Sequence, residues 1–407
     1  MDKLLHTPEG VRDIYNRECM KKTAIEKKLM ETIRLYGYQE IQTPTFEYFD
    51  VFRKEIGTTS SKDLYRFFDK EGNLLALRPD ITPSIARAAA TLYGNEIMPI
   101  RLCYTGNTFV NHTNYQGRLR EVTQLGAEMI GDDSVQADAE MLALVIESLL
   151  AIGLKDFQLS VGHLGFFNGL LHAADLNEEE KERVIELINN RNFYGASEYL
   201  SSIQAGESVK ASFWALKELV GGEEIILKAK TVTCEETAIL ALKKLEEMFS
   251  LLKLYGYDRY ISFDLSMTGT YGYYTGIIFR GYTFGTGDAV VKGGRYDHLL
   301  EKFGKDSPSI GFAIVIDELM KALSRQRIEI TMPTARTIIL YEAGTDREAV
   351  SIAKELRGNG ICVELVKRAE ENSIDCYRDF AGRYQANKII YIKKDLSKEI
   401  FEMNDAE

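Results

Sequence analysis

The sequence is poor in cysteine, and its few cysteines form no pattern that binds metal or builds a disulfide framework. Five cysteines are scattered over 407 residues without a CxxC pair, which is typical of reduced thiols in a cytosolic protein. The five histidines show neither HxxxH nor HExxH spacing, the patterns by which paired histidines on a helix bind zinc. We therefore expect no catalytic metal and no bound cofactor.

Long apolar runs are also missing from the sequence. No stretch approaches the roughly 18 continuous apolar residues that a membrane helix needs. The N-terminal residues MDKLLHTPEGVRD lack the apolar core of a signal peptide. We expect a soluble, cytoplasmic protein that contacts no membrane.

An excess of positive charge is the third absence. The chain has 50 Lys and Arg against 61 Asp and Glu, a formal net charge of −11, whereas nucleic-acid-binding proteins usually present a basic face. This balance argues against a general affinity for nucleic acid, although it leaves room for one local basic groove. The length and the 45% hydrophobic content are sufficient for two or three domains with at least one large core.

Apolar spacing and turn residues divide the first part of the chain into helices and strands. Residues 17–35 have helical spacing, whereas YQEIQTPTFEYFDVFRK alternates and contains a proline, as an edge or interface strand does. The turn-like KEGN between LYRFFD and LLALRPD predicts a hairpin. Thr82 and Pro83 predict the N-cap and the first turn of a helix that Gly94 ends. Further on, the pattern predicts strands near 100–105 and 120–130, a helix over 134–152 and a strand at FQLSVGH.

A change of composition marks the middle of the chain. From about 168 to 255 the pattern is mostly helical and charged, which predicts a helical insertion between two blocks of strands. Strands resume with RYISFDLS and GYYTGIIFR, and antiparallel strands broken by helices favour an α+β sheet domain over a doubly wound one. Residues 331–407 read as strand, helix, strand and a later strand, which predicts a small βαβ unit with a parallel sheet.

Four motifs are candidates for a functional site, and each also has a purely structural explanation. GTGDAVVKGGR is not a Walker A loop because no GK[ST] follows, and it can be a turn with close backbone approach. RPDITP can be a helix cap. The adjacent tyrosines of GTYGYYTG, placed in a strand, face opposite sides of it, so one ring can belong to the core. Gln124 and Glu128 lie four apart in a predicted strand and share a face, where an inward carboxylate needs a partner.

In their order along the chain, these motifs resemble the class II aminoacyl-tRNA synthetases, and specifically the histidyl-tRNA synthetase family. The first predicted helix with YGYQEIQTPTFEYFD resembles motif 1, TGNTFVNHTNYQGRLREVTQLGAE resembles motif 2, and SIGFAIVIDEL resembles motif 3. GTYGYYTG and GGRYD resemble the two histidine-specific signatures. The resemblance covers residues 1–325 and implies an α+β fold, with an antiparallel sheet flanked by helices and the insertion at about 168–255. Residues 331–407 resemble, more weakly, a truncated anticodon-binding domain of α/β type.

The resemblance also implies a pocket that binds a histidine-like amino acid. An ammonium group needs carboxylate and hydroxyl acceptors, and an imidazole N–H needs an acceptor such as a carboxylate or a tyrosine oxygen. Buried polar groups of this kind reject amino acids that leave them unpaired. Asp80 stands where synthetases usually carry glutamate. Carried over by motif, the pocket residues are Asp80 and Thr82 of RPDIT, Gln124 and Glu128 of QLGAE, and Tyr273 and Tyr274 of YGYYTG.

The cations with which a synthetase activates its amino acid do not carry over. The motif 2 arginine position is Val110, the arginine of the first histidine-specific signature falls on Gly269, and the motif 3 arginine falls on Glu318. Forming an acyl-adenylate requires fixed cations aimed at the α-phosphate, and losing one such group typically costs about 3–4 kcal/mol in the barrier. Arg118 and Arg120 remain in the motif 2 loop as candidate anion contacts.

A histidine pocket without these arginines is similar to a regulatory branch of the family, the regulatory subunits of ATP phosphoribosyltransferase, of which RPDITPxIAR is characteristic. The resemblance implies a non-catalytic protein that the short catalytic subunit requires for the first step of histidine biosynthesis, and that mediates histidine feedback. It implies no tRNA partner. Because class II folds dimerise through motif 1, residues around 38–53 are candidates for a self-interface within a hetero-oligomer.

Three alternatives remain open at this point. An active, divergent histidyl-tRNA synthetase would show histidine-dependent ATP–pyrophosphate exchange. A synthetase-like enzyme with another acceptor would also need the missing arginines, and a sensor for a different partner would not activate the short enzyme. The effector histidine can bind in this pocket or at a subunit interface.

Overall fold

The computed structural model of the protein describes residues 3–53, 59–94, 96, 99–111, 119–269, 272–331, 336–384 and 386–403. By the density of internal contacts the chain divides into two compact units. The first consists of Met1–Arg12 and Ile25–Glu329, and the second of Asp13–Ala24 and Ile330–Glu407. Within the described ranges, no helix is long and apolar enough to cross a membrane.

The strands of the described residues form three sheets. The first unit contains a nine-stranded sheet of order β1-β5-β6-β12-β11-β10-β7-β9-β8 and a three-stranded sheet of order β2-β4-β3. The second unit contains a four-stranded sheet of order β14-β13-β15-β16. The strands are β1 Gln39–Glu40, β2 Phe46–Tyr48, β3 Arg66–Phe68, β4 Leu74–Leu77, β5 Ile100–Phe109, β6 Glu121–Ile130, β7 Phe157–His163, β8 Val220–Gly221, β9 Ile261–Asp264, β10 Ile277–Thr283, β11 Val291–Arg295, β12 Ser309–Val315, β13 Arg336–Tyr341, β14 Cys362–Lys367, β15 Ala386–Ile392 and β16 Lys398–Glu402.

Helices separate these strands at the positions that apolar spacing and capping residues favour. Ser134 caps the helix that follows it, and Asn177 with Glu180 forms a reciprocal capping box at the start of another. The helices are α1 Asn16–Leu35, α2 Thr82–Leu92, α3 Val135–Ala151, α4 Leu164–Ala173, α5 Glu178–Asn189, α6 Phe193–Ser202, α7 Glu207–Ala215, α8 Glu224–Ala229, α9 Glu236–Tyr255, α10 Ile316–Arg325, α11 Asp346–Gly358 and α12 Ile374–Arg383.

The large sheet is mostly antiparallel, and its two faces differ in character. Only β1 with β5 and β7 with β9 pair in parallel among the described strands of this sheet. In β6, Leu125, Ala127 and Met129 are fully buried apolar residues, whereas Gln124 and Glu128 lie on the opposite face because successive side chains alternate. Between Leu125 and Met129 one face of β6 is therefore hydrophobic, whereas the other face carries the polar Gln124 and Glu128.

Helix α2 packs on the polar face and covers part of it with apolar side chains. Its residues Ile85 and Ala89 form one buried cluster with Leu102 and Tyr104 of β5 and with Tyr296. A polar side chain of β6 that points toward this cluster is consequently shielded from water. This packing, more than any loop, determines where a buried polar site can lie.

The segment that was expected to be a helical insertion contains α4 to α9 and is not entirely helical. It begins at Leu164, slightly before the expected boundary at about 168, and ends at Tyr255 of α9. Within it, the two residues of β8 pair with β9 at the edge of the large sheet. The insertion therefore contributes one edge of the sheet as well as its own helices.

The expected hairpin around KEGN is confirmed, and one detail of the following helix is not. Strands β3 and β4 pair antiparallel with Phe68 opposite Leu74. Thr82, however, is the first residue of α2 rather than its N-cap, which is Ile81. The capping prediction was wrong because the Thr82 hydroxyl donates to the Glu128 carboxyl instead, while an Asp80 oxygen accepts from the Thr82 backbone N–H.

The second unit has the expected parallel strands and one helix that the pattern did not predict. Strand β13 pairs in parallel with β14 and with β15, and β16 is antiparallel to β15. Helix α12 lies between β14 and β15 in the chain, and it and α11 pack in separate buried clusters, with Ile338 and Leu340 in one and Ile339 in the other. Since neighbouring residues of β13 belong to different clusters, the two helices cover opposite faces of the sheet.

Candidate functional site

All six residues that the motifs predict line a single cavity on the polar face of the large sheet. Including the part that opens to solvent, the cavity has a volume of about 400 Å³. Residues from the start of α2, from β6, from β11 and β12 and from the segment before β10 meet here. Its polar and aromatic side chains are Asp80, Thr82, Gln124, Glu128, Tyr273, Tyr274, Lys292, Tyr296 and Phe312.

The Glu128 carboxyl group is the most deeply buried charged or chargeable group of the cavity, with 1% of the residue exposed. Three hydroxyl groups donate hydrogen bonds to it. They belong to Tyr296 at 2.6 Å, Thr82 at 2.8 Å and Tyr104 at 3.3 Å. This network connects β6 to α2, to β5 and to the segment after β11, and it satisfies both carboxyl oxygens without a cation.

Burial raises the pKa of the Glu128 carboxyl to about 8, although the hydroxyl donors favour its charged form. The group is therefore mostly protonated at neutral pH. A cationic or N–H-donating ligand group beside it stabilises the ionised form and restores the carboxylate as an acceptor. The site is thus adapted to a ligand that brings positive charge or strong N–H donors.

Two glycines leave room for the side chains of the pocket. Gly311 of β12 lies opposite Glu128 in register, and a Cβ on Gly311 would collide with the Glu128 carboxyl. A Cβ on Gly294 of β11 would lie 2.9 Å from the ring of Tyr274. These strand positions can hold only glycine because the pocket side chains lie directly over the backbone.

The GGRYD segment contains residues with two different roles, since its charged residues form an ion-pair network and its tyrosine lines the pocket. Arg295, which is buried, donates to Asp138 of α3 at 2.6 and 2.9 Å and to Asp297 at 3.2 Å. The other oxygen of Asp297 accepts from the Thr275 hydroxyl at 2.9 Å, next to the tyrosine pair. Between the two charged residues, Tyr296 points to the opposite side and reaches Glu128. The charged residues of the motif therefore hold the backbone segment in place, and its tyrosine forms part of the pocket wall.

Tyr273 and Tyr274 both line the cavity, which contradicts the expectation that one ring faces each side of a strand. The reason is that both lie in the turn before β10, which begins only at Ile277, so strand alternation does not apply. The Tyr273 hydroxyl donates to Asp80 at 3.0 Å, and its ring packs edge-on against Tyr274 and Tyr296.

The segment before the tyrosines is attached to the helical insertion. Asp264 at the end of β9 pairs with Arg191, which also donates to Ser266. Thr268 donates its hydroxyl hydrogen to Asn189 at the end of α5. The insertion thus holds the start of the loop whose later residues enter the pocket.

Gln124 offers an acceptor that the described part of the protein leaves unused. Its Oε1 atom is buried and has no hydrogen-bond partner among the described residues. A buried amide oxygen without a partner costs free energy, and such an atom in a cavity wall marks a place for a ligand donor. Gln124 and Asp80 therefore provide acceptors besides the carboxyl of Glu128.

Arg120 and the three positions where a synthetase has arginine lie outside the cavity. Arg118 falls outside the described residues, and Arg120 forms an ion pair of 3.7 Å with Glu9. Glu318 pairs with Lys321 at 2.7 Å. None of Arg120, Val110, Gly269 and Glu318 lines the cavity.

Sequence reasoning missed three groups that the structure places in or beside the pocket. Tyr296 carried a signal, since it belongs to the GGRYD motif. Tyr104 and Lys292 carried none, because Tyr104 reads as an ordinary strand residue and Lys292 reads as a turn residue within GTGDAVVKGGR. Away from the cavity, His298, Glu301 and Asp306 place ligand-type atoms within 4.8 Å of one another, but all three are exposed and the chemistry of the pocket does not involve them.

Comparison with known proteins places this arrangement in context. The histidyl-tRNA synthetase family model matches residues 10–319. An ATP phosphoribosyltransferase regulatory subunit from Acetivibrio thermocellus is 36% identical over 403 residues, which cover 99% of this chain and 96% of that protein.

Two solved structures resemble the fold. The crystal structure of an ATP phosphoribosyltransferase regulatory subunit/histidyl-tRNA synthetase from Bacillus halodurans C has a TM-score of 0.86 and 32% identity, covering 96% of this chain and 98% of that one. Histidyl-tRNA synthetase from Nostoc sp. PCC 7120 has a TM-score of 0.80 at 19% identity, covering 98% and 96% of the two chains, and shows the fold alone. The predicted class II synthetase-like α+β fold is confirmed.

Replacing Gly311 with alanine should damage the pocket and reduce stability. The new methyl group would displace the Glu128 carboxyl from its hydroxyl donors, and overpacking of this kind costs about 1–3 kcal/mol. Urea unfolding of Gly311→Ala and the unchanged protein measures the difference. The control is Gly287→Ala, where no atom lies within 4 Å of the added Cβ. Equal unfolding midpoints for the unchanged protein and Gly311→Ala would contradict the described packing.

Stability should depend on pH through Glu128. Its folded-state pKa of about 8 exceeds the ordinary 4.5, so between these values the folded protein holds a proton that the unfolded chain releases. The free energy of unfolding should therefore fall as pH rises through this window, with a slope of at most about 1.4 kcal/mol per pH unit from this group.

The measurement is urea unfolding across that window for the unchanged protein and for Glu128→Gln, which carries no titrating group at this position. Subtracting one curve from the other removes the contribution of Asp138, whose pKa burial raises to about 6. Parallel stability curves for the two proteins would show that Glu128 titrates normally in the folded state.

Proposed function

The chain belongs to the family of ATP phosphoribosyltransferase regulatory subunits with a histidyl-tRNA synthetase fold, and from this premise we propose that it binds histidine in the Glu128 cavity. In this proposal the protein assembles with the short catalytic subunit of ATP phosphoribosyltransferase, which requires it for the first step of histidine biosynthesis. Histidine bound in the cavity reports the concentration of the end product to the partner.

The observation that carries the proposal is the match between the cavity and the chemistry of histidine. Histidine presents an ammonium group and an imidazole ring whose N–H groups need acceptors. The cavity brings together the Glu128 carboxyl, the Asp80 carboxylate and the Gln124 oxygen, which has no partner among the described residues. Tyr273, Tyr274 and Tyr296 surround it with aromatic rings that can pack against imidazole.

Binding without activation follows from the groups that are absent from the cavity wall. Adenylate formation develops negative charge on the α-phosphate and on the leaving pyrophosphate, which fixed cations must stabilise. At the positions where a synthetase has arginine, this chain has Val110, Gly269 and the acidic Glu318. Glu318 offers no cation to a phosphate, and its own carboxylate pairs with Lys321. We infer that the protein is not itself an enzyme and that it needs no tRNA.

Feedback requires that histidine distinguishes two states of the complex. A ligand shifts an equilibrium only by the difference between its affinities for the two states, and coupling free energies are typically about 1–3 kcal/mol. The Glu128 network meets this requirement because one ligand contacts α2, β6 and the turn before β10 at the same time. Small movements of these elements relative to one another change the affinity.

Self-association is proposed through the three-stranded sheet. Phe46 and Tyr48 of β2 and Phe67 of β3 share one face of this sheet, as their pairing with β4 requires, and they are 52%, 60% and 38% exposed. The Phe46 and Phe67 rings pack edge-on at 5.6 Å, which makes a rigid apolar patch. An exposed aromatic patch of this kind is typical of a protein interface, and a second copy of the chain covers it symmetrically. The patch includes part of the expected interface region around 38–53.

The central test is reconstitution with the short ATP phosphoribosyltransferase while histidine is titrated. The unchanged protein should bind and activate the enzyme, and histidine should inhibit the complex. Tyr273→Phe removes the hydrogen bond to Asp80, and Glu128→Ala removes the central acceptor. Both should weaken histidine binding by about tenfold or more while assembly persists.

The matched control is Tyr282→Phe, an exposed tyrosine of β10 outside the cavity, which should leave histidine binding unchanged. Failure of the unchanged protein to bind or activate the short enzyme would refute the regulatory role. If both Glu128→Ala and Tyr273→Phe bind histidine as tightly as the unchanged protein, the effector site lies elsewhere. Histidine-dependent ATP–pyrophosphate exchange at synthetase-like rates would instead identify the chain as an active, divergent histidyl-tRNA synthetase.

Phe46→Asp should weaken self-association. Burying a carboxylate in an apolar interface is costly, so the dissociation constant of the dimer should rise by roughly tenfold to a hundredfold. Sedimentation equilibrium over a range of protein concentrations measures it. Phe284→Asp, at an exposed phenylalanine after β10, is the control and should leave the dimer intact. An unchanged dissociation constant for Phe46→Asp would exclude the three-stranded sheet as the interface.

A further inference from the structure

A second cavity adjoins the first and has a different electrostatic character. Including its open part, it measures about 650 Å³. Tyr274 and Lys292 line both cavities, so the two spaces meet at these residues. Its remaining wall is formed by Met267, Thr268, Ile278, Phe279, Arg280, Asp288 and Gly293.

Strand register places Lys292 on the same face of the sheet as the Glu128 carboxyl. Lys292 lies opposite Ala313 of β12, which in turn lies opposite Gly126 of β6, two residues before Glu128. Residues paired in register or separated by two share a face of the sheet. One strand separates β6 from β11, so the two backbones are about 10 Å apart. A lysine side chain from one and a glutamate from the other can therefore contact opposite ends of one small molecule.

The ligand proposed above has a carboxylate group for which the six predicted pocket residues provide no cation. Histidine carries a carboxylate, whereas those residues offer carboxyl, hydroxyl and amide groups but no cation. Enclosing a carboxylate without a cation or several donors costs much of the binding free energy. A group that completes the site must be positive and must lie at the edge of the cavity, away from Glu128.

The second cavity supplies positive charge at that edge. Arg280 of β10 lies directly opposite Lys292. Asp288 forms an ion pair with Lys292 at 3.0 Å. The charged groups in the described wall of the second cavity are thus Arg280, Lys292 and Asp288, and Lys292 is the cation that also lines the Glu128 cavity.

We propose that Lys292 binds the carboxylate of the amino-acid ligand and so determines that the site recognises a free α-amino acid. This inference rests on the proposed function, since it takes the ligand of the Glu128 cavity as its starting point. The ammonium of Lys292 has three N–H donors, so it can keep Asp288 and accept the ligand as a second partner. Its side chain is 31% exposed, so moving it toward the ligand removes little hydration.

A contact between Lys292 and the ligand carboxylate affects both the reactivity of the ligand and the choice of ligand. A lysine ammonium neutralises the carboxylate as a charged pair and leaves it unactivated. Ligands that lack the free carboxylate, such as an amino alcohol, lose this contact while they keep the imidazole and ammonium contacts. The pocket therefore discriminates between histidine and histidinol through one interaction, the contact between Lys292 and the ligand carboxylate.

Calorimetric titration of both ligands into the unchanged protein and into Lys292→Met tests the assignment. In the unchanged protein, histidine should bind roughly tenfold to a hundredfold more tightly than histidinol, the effect of one charge-assisted contact. Lys292→Met should lose that difference by weakening histidine binding, while histidinol binds at least as tightly as before. Lys292→Arg should retain most of the preference because it keeps the charge.

Histidinol binding also reports that the variant pocket is intact, so a loss of folding cannot imitate the expected result. Lys321→Met, which removes a partly exposed lysine paired with Glu318 outside both cavities, is the control and should keep the full preference. Undiminished histidine affinity in Lys292→Met overturns the assignment and leaves the proposed function standing. An equal weakening of both ligands also overturns it. If the unchanged protein binds neither ligand, the proposed function itself fails.

Discussion

The buried carboxyl of Glu128 is the interaction on which the site depends. A carboxyl group on the polar face of β6 lies under α2, where water cannot solvate it, so its hydrogen-bond partners must come from the protein. The three hydroxyls that donate to it belong to α2, to β5 and to the segment after β11. Each element is thereby held at hydrogen-bond distance from one central group. Any ligand that changes the charge of Glu128 acts on all three elements at once.

The surrounding backbone is arranged so that this group can stay in place. Gly311 leaves the space over which the carboxyl lies, and on the other side of the GGRYD segment Arg295 is fixed by Asp138 and Asp297. A buried ion pair of this kind contributes little net stability but is costly to break, so it defines one conformation of the segment. The position of Tyr296 is fixed in the same way, because it lies between the two paired residues Arg295 and Asp297. Its hydroxyl therefore points at Glu128. The pocket and the ion pair are two sides of one short strand segment.

Much of this site was accessible from the sequence, and the failures share a physical cause. The residues of RPDIT, QLGAE and YGYYTG meet in one cavity because motif order specifies which strands and turns approach one another. The sequence did not reveal that Tyr273 and Tyr274 precede β10, because a period-two argument cannot locate the first residue of a strand. The sequence predicted Thr82 as an N-cap because Ser and Thr favour that position locally. Local preference cannot show that a distant carboxyl, here Glu128, accepts from the same hydroxyl. Lys292 went unnoticed because its position beside the Glu128 cavity depends on register across three strands, which no local pattern encodes.

In the proposed function, the contrast between Glu128 and Lys292 explains how a synthetase-like pocket serves recognition alone. Recognition needs acceptors for the ligand's N–H groups and one cation for its carboxylate, and these can lie on opposite sides of a cavity. Activation needs several cations converging on a phosphate next to that same carboxylate, held rigidly as charge develops. Lys292 is a flexible cation that already pairs with Asp288, and its three N–H donors are enough for it to hold a ligand carboxylate as well. A pocket with this distribution of charge stabilises the ground state of its ligand. Such uniform binding is of no use to a catalyst, but it is what a sensor requires, because occupancy itself is the signal.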